Sequence, residues 1–122
     1  MSAEILTAVD EAESVLVAVY AVPNPGVRGS GGTIHGTDPT GSLLQTVLDH
    51  APAKTAVSAI GNPYLAQDFQ AIQTYLCTFS STPVSEISVV KALFGEVPIH
   101  GHLPVSIPGI AQRGFGIERP MK

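Results

Sequence analysis

Residues 14–22 read SVLVAVYAV. An almost unbroken β-favouring run of this kind predicts a strand with apolar neighbours on both faces, the central position of a parallel sheet. Two further runs have the same character, KTAVSAI at 54–60 and TYLCTF at 74–79. The first is closed by the turn Gly61-Asn62-Pro63. Helical patterns separate and flank these runs. Residues 2–13 place Ile5, Leu6 and Val9 on one face, with Ser2 as a possible cap and Glu4 near the positive end of the helix dipole. Residues 39–50 carry the stripe Leu43, Leu44, Val47 and Leu48 behind an Asp38-Pro39 start. A short helix is expected at 64–71. A longer one starts at Thr82-Pro83, presents Val84, Ile87, Val90, Leu93 and Phe94, and stops at Gly95. The remainder, 96–110, is rich in Pro and Gly and contains the extended piece LPVSI.

Strands alternating with covering helices imply right-handed crossovers and a mainly parallel sheet. The expected class is α/β, a flavodoxin-like three-layer α/β/α sandwich formed by residues 1–122 as one domain. Only three strands are evident, and the first lacks an upstream partner, so the reading is of a domain entered partway along.

Composition narrows the function. Hydrophobic residues make up 44% and charged residues 13% of the 122, which fits a well-buried core. Lys and Arg number six and are scattered, with a formal net charge of −4. No basic stripe is available to neutralise phosphates, so no nucleic-acid partner is expected. No apolar stretch is long enough to cross a bilayer, and the acidic N-terminus lacks a signal-peptide n-region. A cytoplasmic location, with no membrane contact, is expected for the chain as given. The single cysteine, Cys77, lies in an apolar run and reads as a buried, inert thiol.

Residues 23–38, PNPGVRGSGGTIHGTD, form a long Gly- and Pro-rich connection, a kind that is often functional. Arg28, His35 and Asp38 on it are the candidate substrate-side residues. Arg28 suits an anionic or hydroxyl-rich ligand but also suits a solvated loop, and Asp38 suits a helix cap better than catalysis. The glycines stand too far from the next helix for a dinucleotide cradle, and the P-loop signature is absent. No G-x-S-x-G elbow occurs. The histidines are His35, His50, His100 and His102. His100 and His102 share strand parity, but two imidazoles need a carboxylate or a third imidazole to hold a metal. No metal site, cofactor or catalytic residue is therefore expected.

Residues 84–109 contain VVKALFGEVPIHGHLPVSIPG. The turn Leu93-Phe94-Gly95, followed by Gly101-His102-Leu103-Pro104-Val105-Ser106-Ile107-Pro108, resembles the end of the second domain of family 3 glycoside hydrolases. Ser58-Ala59-Ile60-Gly61-Asn62-Pro63-Tyr64 and Tyr75-Leu76-Cys77-Thr78-Phe79 resemble two of its strands, and Val15 to Val22 an earlier one. The likeness covers most of 14–110 and is nearest the β-N-acetylhexosaminidase branch. It departs at Pro98-Ile99-His100, where Asn-Pro-Ser is usual.

The resemblance implies a hydrolase of O-glycosyl bonds in carbohydrate metabolism, whose catalytic barrel carries the nucleophilic Asp. In the hexosaminidase branch the barrel also supplies a His-Asp acid/base pair. In the β-glucosidase branch a Glu comes from the second domain's long loop, but residues 23–38 contain no Glu. The implied role is a non-catalytic accessory domain. Its partners would be the missing barrel and first part of the domain, or a second copy in a homo-oligomer, with carbohydrate as a candidate ligand. The alternative is a free-standing module that binds a sugar or nucleotide through loop 23–38. A third is a small hydrolase using His35 and Asp38.

Overall fold

The computed structural model describes residues 2–20 and 34–122. Helix α1, Ser2–Glu11, leads into strand β1, Val15–Tyr20. Helix α2, Pro39–His50, is followed by β2, Thr55–Ile60, then β3, Thr74–Thr78, and helix α3, Pro83–Leu93. Short 3-10 turns occupy Pro52–Lys54 and Pro63–Gln67, the second where a longer helix at 64–71 was expected. The strands form one sheet in the order β1-β2-β3, and both pairs are parallel. The chain is therefore an α/β protein with a parallel sheet, as its alternating pattern implies. A flavodoxin-like sheet contains a reversal of strand order; these three strands run in chain order.

Register sorts the side chains into two sets. Val17 lies beside Val57 and Val19 beside Ala59, and Val57 and Ala59 lie beside Tyr75 and Cys77. Alternation puts these six on one face. Leu44 and Leu48 of α2 pack there with Leu65 and Phe69 from the segment after β2. Each of these four is no more than 2% exposed, and they form the main core. The alternate set is Leu16, Ala18 and Tyr20 with Ala56, Ser58, Ile60 and Leu76. Helix α3 packs on β2 and β3, and its Val89 borders a groove with Leu76 and Thr78.

Two expectations need correction here. Strand β1 is not central: its only described partner is β2, so it is an edge strand, and Leu16 and Tyr20 are about half exposed. The apolar stripe expected to bury α3 instead faces outward. Val84, Ile87, Val90 and Phe94 are all exposed, Leu93 is half-buried, and Val89 is the buried residue of the helix. Apolar residues lie around most of α3, so their period did not select the face that meets the sheet.

The punctuation behaves as its chemistry requires. Gly95 adopts φ +73°. Its N–H donates to the Ala92 carbonyl and that of Glu96 to the Lys91 carbonyl, which together make a Schellman stop for α3. Gly61 adopts φ +103° after β2, and the Asn62 side chain accepts from the Tyr64 N–H at 2.8 Å. Asp38 and Thr82 hold the extended N-cap positions of α2 and α3, but neither side chain caps its helix.

The tail is more ordered than an extended strip. Ile99 pairs antiparallel with Arg119, and Ile107 with Ala111. The Leu103 N–H donates to the Phe115 carbonyl at 2.8 Å. These pairings share one register, so residues 99–119 form a hairpin arm turned at Gly109, whose φ is +76°. The Lys122 N–H donates to the Gly95 carbonyl and ties the end of the chain to the stop of α3.

Candidate functional site

Helix α2 follows β1, so its start lies at the carboxyl end of the sheet, the end at which parallel α/β sheets bind ligands. His35 and Asp38 sit there in a tight turn. The Asp38 N–H donates to the His35 carbonyl, and the His35 N–H donates to Asp38 Oδ2, both at 2.9 Å. The carboxylate expected to cap α2 thus closes the preceding turn instead. Gly41 is required beneath it, because a Cβ there would stand 1.9 Å from the His35 carbonyl oxygen.

The His35 ring does not meet the Asp38 side chain. Its Nδ1 lies 3.0 Å from Oδ2 of Asp68, at the end of the 3-10 turn that follows β2. Two carboxylates therefore converge on one residue, Asp38 through its backbone and Asp68 through its ring. Sequence reasoning missed Asp68, which stands 33 positions from His35; only the crossover that brings both segments over the same end of the sheet joins them. Arg28 lies outside the described residues. A carboxylate against Nδ1 orients an imidazole and favours proton transfer at Nε2. Among the described residues no Ser, Thr or Cys hydroxyl or thiol hydrogen-bonds to that ring.

Cys77 and His100 border the groove between β3, α3 and the arm, a shallow space of about 220 Å³. Burial pushes the Cys77 thiol up to about 11, and Tyr75 is the side chain that partly offsets it. A thiol protonated at neutral pH is not an activated nucleophile. Cys77 is half-buried, where a buried thiol was expected. Tyr75 is itself raised well above its ordinary value, mainly by burial, while its hydroxyl donates to the Pro63 carbonyl at 2.7 Å.

The other histidines have different surroundings. His50 Nε2 lies 2.6 Å from Asp10 Oδ1, which ties α2 to α1. Lys54 Nζ donates to the Asp10 and Ala12 carbonyls beside that pair. This cluster is a brace at the amino end of the sheet. His100 and His102 lie on the arm, each 4.0 Å from a different oxygen of Glu118. Among the described residues no helix is long and apolar enough to cross a membrane.

Comparison with family models, curated proteins and solved structures finds no match to this chain.

Proposed function

We propose that this chain is a non-catalytic α/β module of a family 3 glycoside hydrolase of the β-N-acetylhexosaminidase type, acting while docked against the polypeptide that carries the reacting carboxylates. The observation that carries the reading is the uncovered apolar surface on β1 and α3. Leu16 and Tyr20 on the edge strand, with Val84, Ile87 and Val90 on the helix, are each 49% exposed or more. Edge strands of parallel sheets are normally covered, and an apolar surface of this kind marks a contact. The motif residues behind the resemblance do structural work. Leu93-Phe94-Gly95 ends α3, and Leu103, within the Gly101 to Pro104 piece, pairs with the returning half of the arm through its N–H to the Phe115 carbonyl. A complete three-layer sandwich belongs to the parent protein in this reading. Retaining hydrolysis needs a nucleophilic carboxylate and an acid/base on either side of the glycosidic bond, and both lie on the barrel.

The test is an assay of the purified chain on an aryl N-acetyl-β-glucosaminide, alone and joined to a family 3 barrel from the same open reading frame. No turnover alone, and turnover with the barrel, is the expected result. Turnover by the 122-residue chain that is lost in Asp68→Asn would overturn it.

The second reading, a small-molecule binding module, draws on the His35–Asp68 pair at the carboxyl end of the sheet. A thermal shift with a free sugar or nucleotide, absent in His35→Ala, would favour it.

A further inference from the structure

Helix α3 carries a continuous apolar stripe on its outer side. Val84, Ile87, Val90 and Phe94 follow one another at steps of three, three and four residues, and each is at least half exposed. Such steps keep side chains on one side of a helix and are the spacing of a helix–helix seam. The opposite side faces the sheet: Val89 is buried there, and with Ser88 and Ala92 it borders β3 and the start of the arm. With Ile87 and Phe94 at the a positions of a heptad, Val90 takes d, and Glu86 and Lys91 take the flanking g and e positions. The two charges therefore stand on opposite sides of the seam. A shallow hollow of about 360 Å³ lies between them, bordered by Glu86, Ile87, Val90, Lys91 and Glu96. No ion pair among the described residues includes Glu86 or Lys91. Glu86 is half-buried beside the Tyr20 hydroxyl, and a carboxylate has acceptor sites beyond that one neighbour.

The geometry points to a second copy of this chain as the occupant of the stripe, its α3 lying parallel to the first about a two-fold axis between them. The charges select both the occupant and the direction. In a parallel pair the g position of one helix faces the next e position along its partner. Glu86 at g and Lys91 at e are such a pair, so each Glu86 carboxylate meets Lys91 of the partner subunit, and symmetry makes the contact twice. An antiparallel pair would set each charged flank against its own copy, carboxylate side to carboxylate side. In the parallel pair Ile87 and Val90 each meet their own copy across the axis, and Phe94 closes the end of the seam. A helix of 11 residues is about 16 Å long, too short to bury the roughly 800 Å² per partner of a standard interface. The dimer is therefore weak and reversible, and the dilute chain is monomeric. This pairing goes beyond the barrel-docked reading and does not depend on it: it takes the helix part of the uncovered surface and leaves the β1 edge to the covering polypeptide.

Sedimentation equilibrium of the full chain from about 10 μM to about 1 mM reads the pairing. A monomer–dimer equilibrium is expected in the upper part of that range. Glu86→Lys and Lys91→Glu should each weaken it by about tenfold or more, because each sets like charges across the seam twice. An equimolar mixture of the two variants should recover dimer, since opposite charges then face each other on both flanks. The double variant E86K/K91E should recover it for the same reason. Loss of the Tyr20 contact or local loosening of α3 cannot produce that recovery, so the rescue decides the matter. A chain still monomeric at the top of the range, single variants that associate as wild type does, or a mixture that stays monomeric would overturn the pairing. So would a monomeric chain whose binding to a family 3 barrel is lost in either single variant, which would assign the stripe to the barrel.

Discussion

On one face of the sheet Val19, Val57 and Ala59 lie against Leu44, Leu48, Leu65 and Phe69, none more than 2% exposed. On the alternate face Leu16 is 49% and Tyr20 52% exposed, and the helix nearest them turns Ile87 and Val90 outward. The residue types are nearly the same on both sides. What differs is the cover. The first face is closed by local crossovers, α2 between β1 and β2 and the Pro63–Gln67 turn between β2 and β3. Among the described residues the second is covered by α3, which packs on β2 and β3, with the start of the arm beside β3. Beside the end of β1 this helix places a polar group: the Glu86 carboxylate pushes the Tyr20 hydroxyl's pKa up. Hydrophobicity states that a surface wants cover, and topology decides whether this chain supplies it.

The largest effect contrasts the two faces directly. Phe69→Ala and Leu48→Ala should each destabilise the fold by about 3–5 kcal/mol, because their cavities cannot be filled. Ile87→Ala and Val84→Ala should change stability by no more than about 0.5 kcal/mol. Urea unfolding of the four variants measures this. An Ile87→Ala cost equal to that of Leu48→Ala would mean that the outer face is already covered in solution, and the contrast would collapse.

Next in size is association. Leu16→Lys and Ile87→Glu place charges on the uncovered surface. Each should weaken docking to a covering polypeptide, or self-association, by tenfold or more, about 1.4 kcal/mol. Stability of the monomer should be preserved. Sedimentation across a concentration series reads this out. A wild-type chain that stays monomeric at high concentration and ignores the family 3 barrel would remove the proposed role of the surface.

These contrasts also mark what sequence could convey. The bounds of α2 were legible because Asp38-Pro39 and Pro52 punctuate the chain, and the end of α3 because Gly95 permits the left-handed turn. The β2 and β3 runs were legible from their β-branched and aromatic residues. The edge position of β1 was not, because an aliphatic run such as VLVAVY looks the same at the centre and at the rim. The arm was read as an extended tail because Pro98, Pro104 and Pro108 dominate it, whereas its pairing depends on residues up to 20 positions apart. The partners Asp68 and Glu118 share this difficulty: each meets its histidine only after distant segments align, and no local pattern announces that.

A smaller effect tests the junction between the two faces. Ser58 is fully buried on the central strand, beside Ala18 and Leu76, and its hydroxyl has no hydrogen-bond partner among the described residues. A buried donor left unmade costs about 1 kcal/mol or more. Ser58→Ala should therefore stabilise the chain by about 1 kcal/mol in urea unfolding. A loss instead would show that the hydroxyl is satisfied, and that the space beneath α3 is more polar than its lining suggests.

A last effect lies on the covered face and depends on pH. Cys77 packs against the main core, and burial raises its pKa from 9.0 to about 11. The folded state then holds its proton more tightly than the unfolded state does. By linkage, the stabilisation is complete below pH 9 and is lost as pH rises through the folded value. Stability of the wild-type chain should decline between about pH 9 and 11, and Cys77→Ala should flatten part of that decline; Tyr75, raised in the same direction, supplies the rest. Thermal unfolding across this range makes the measurement. A Cys77→Ala profile parallel to wild type would mean that the thiol meets water in the folded chain, and the boundary between covered and open surface would then run through β3 rather than along β1.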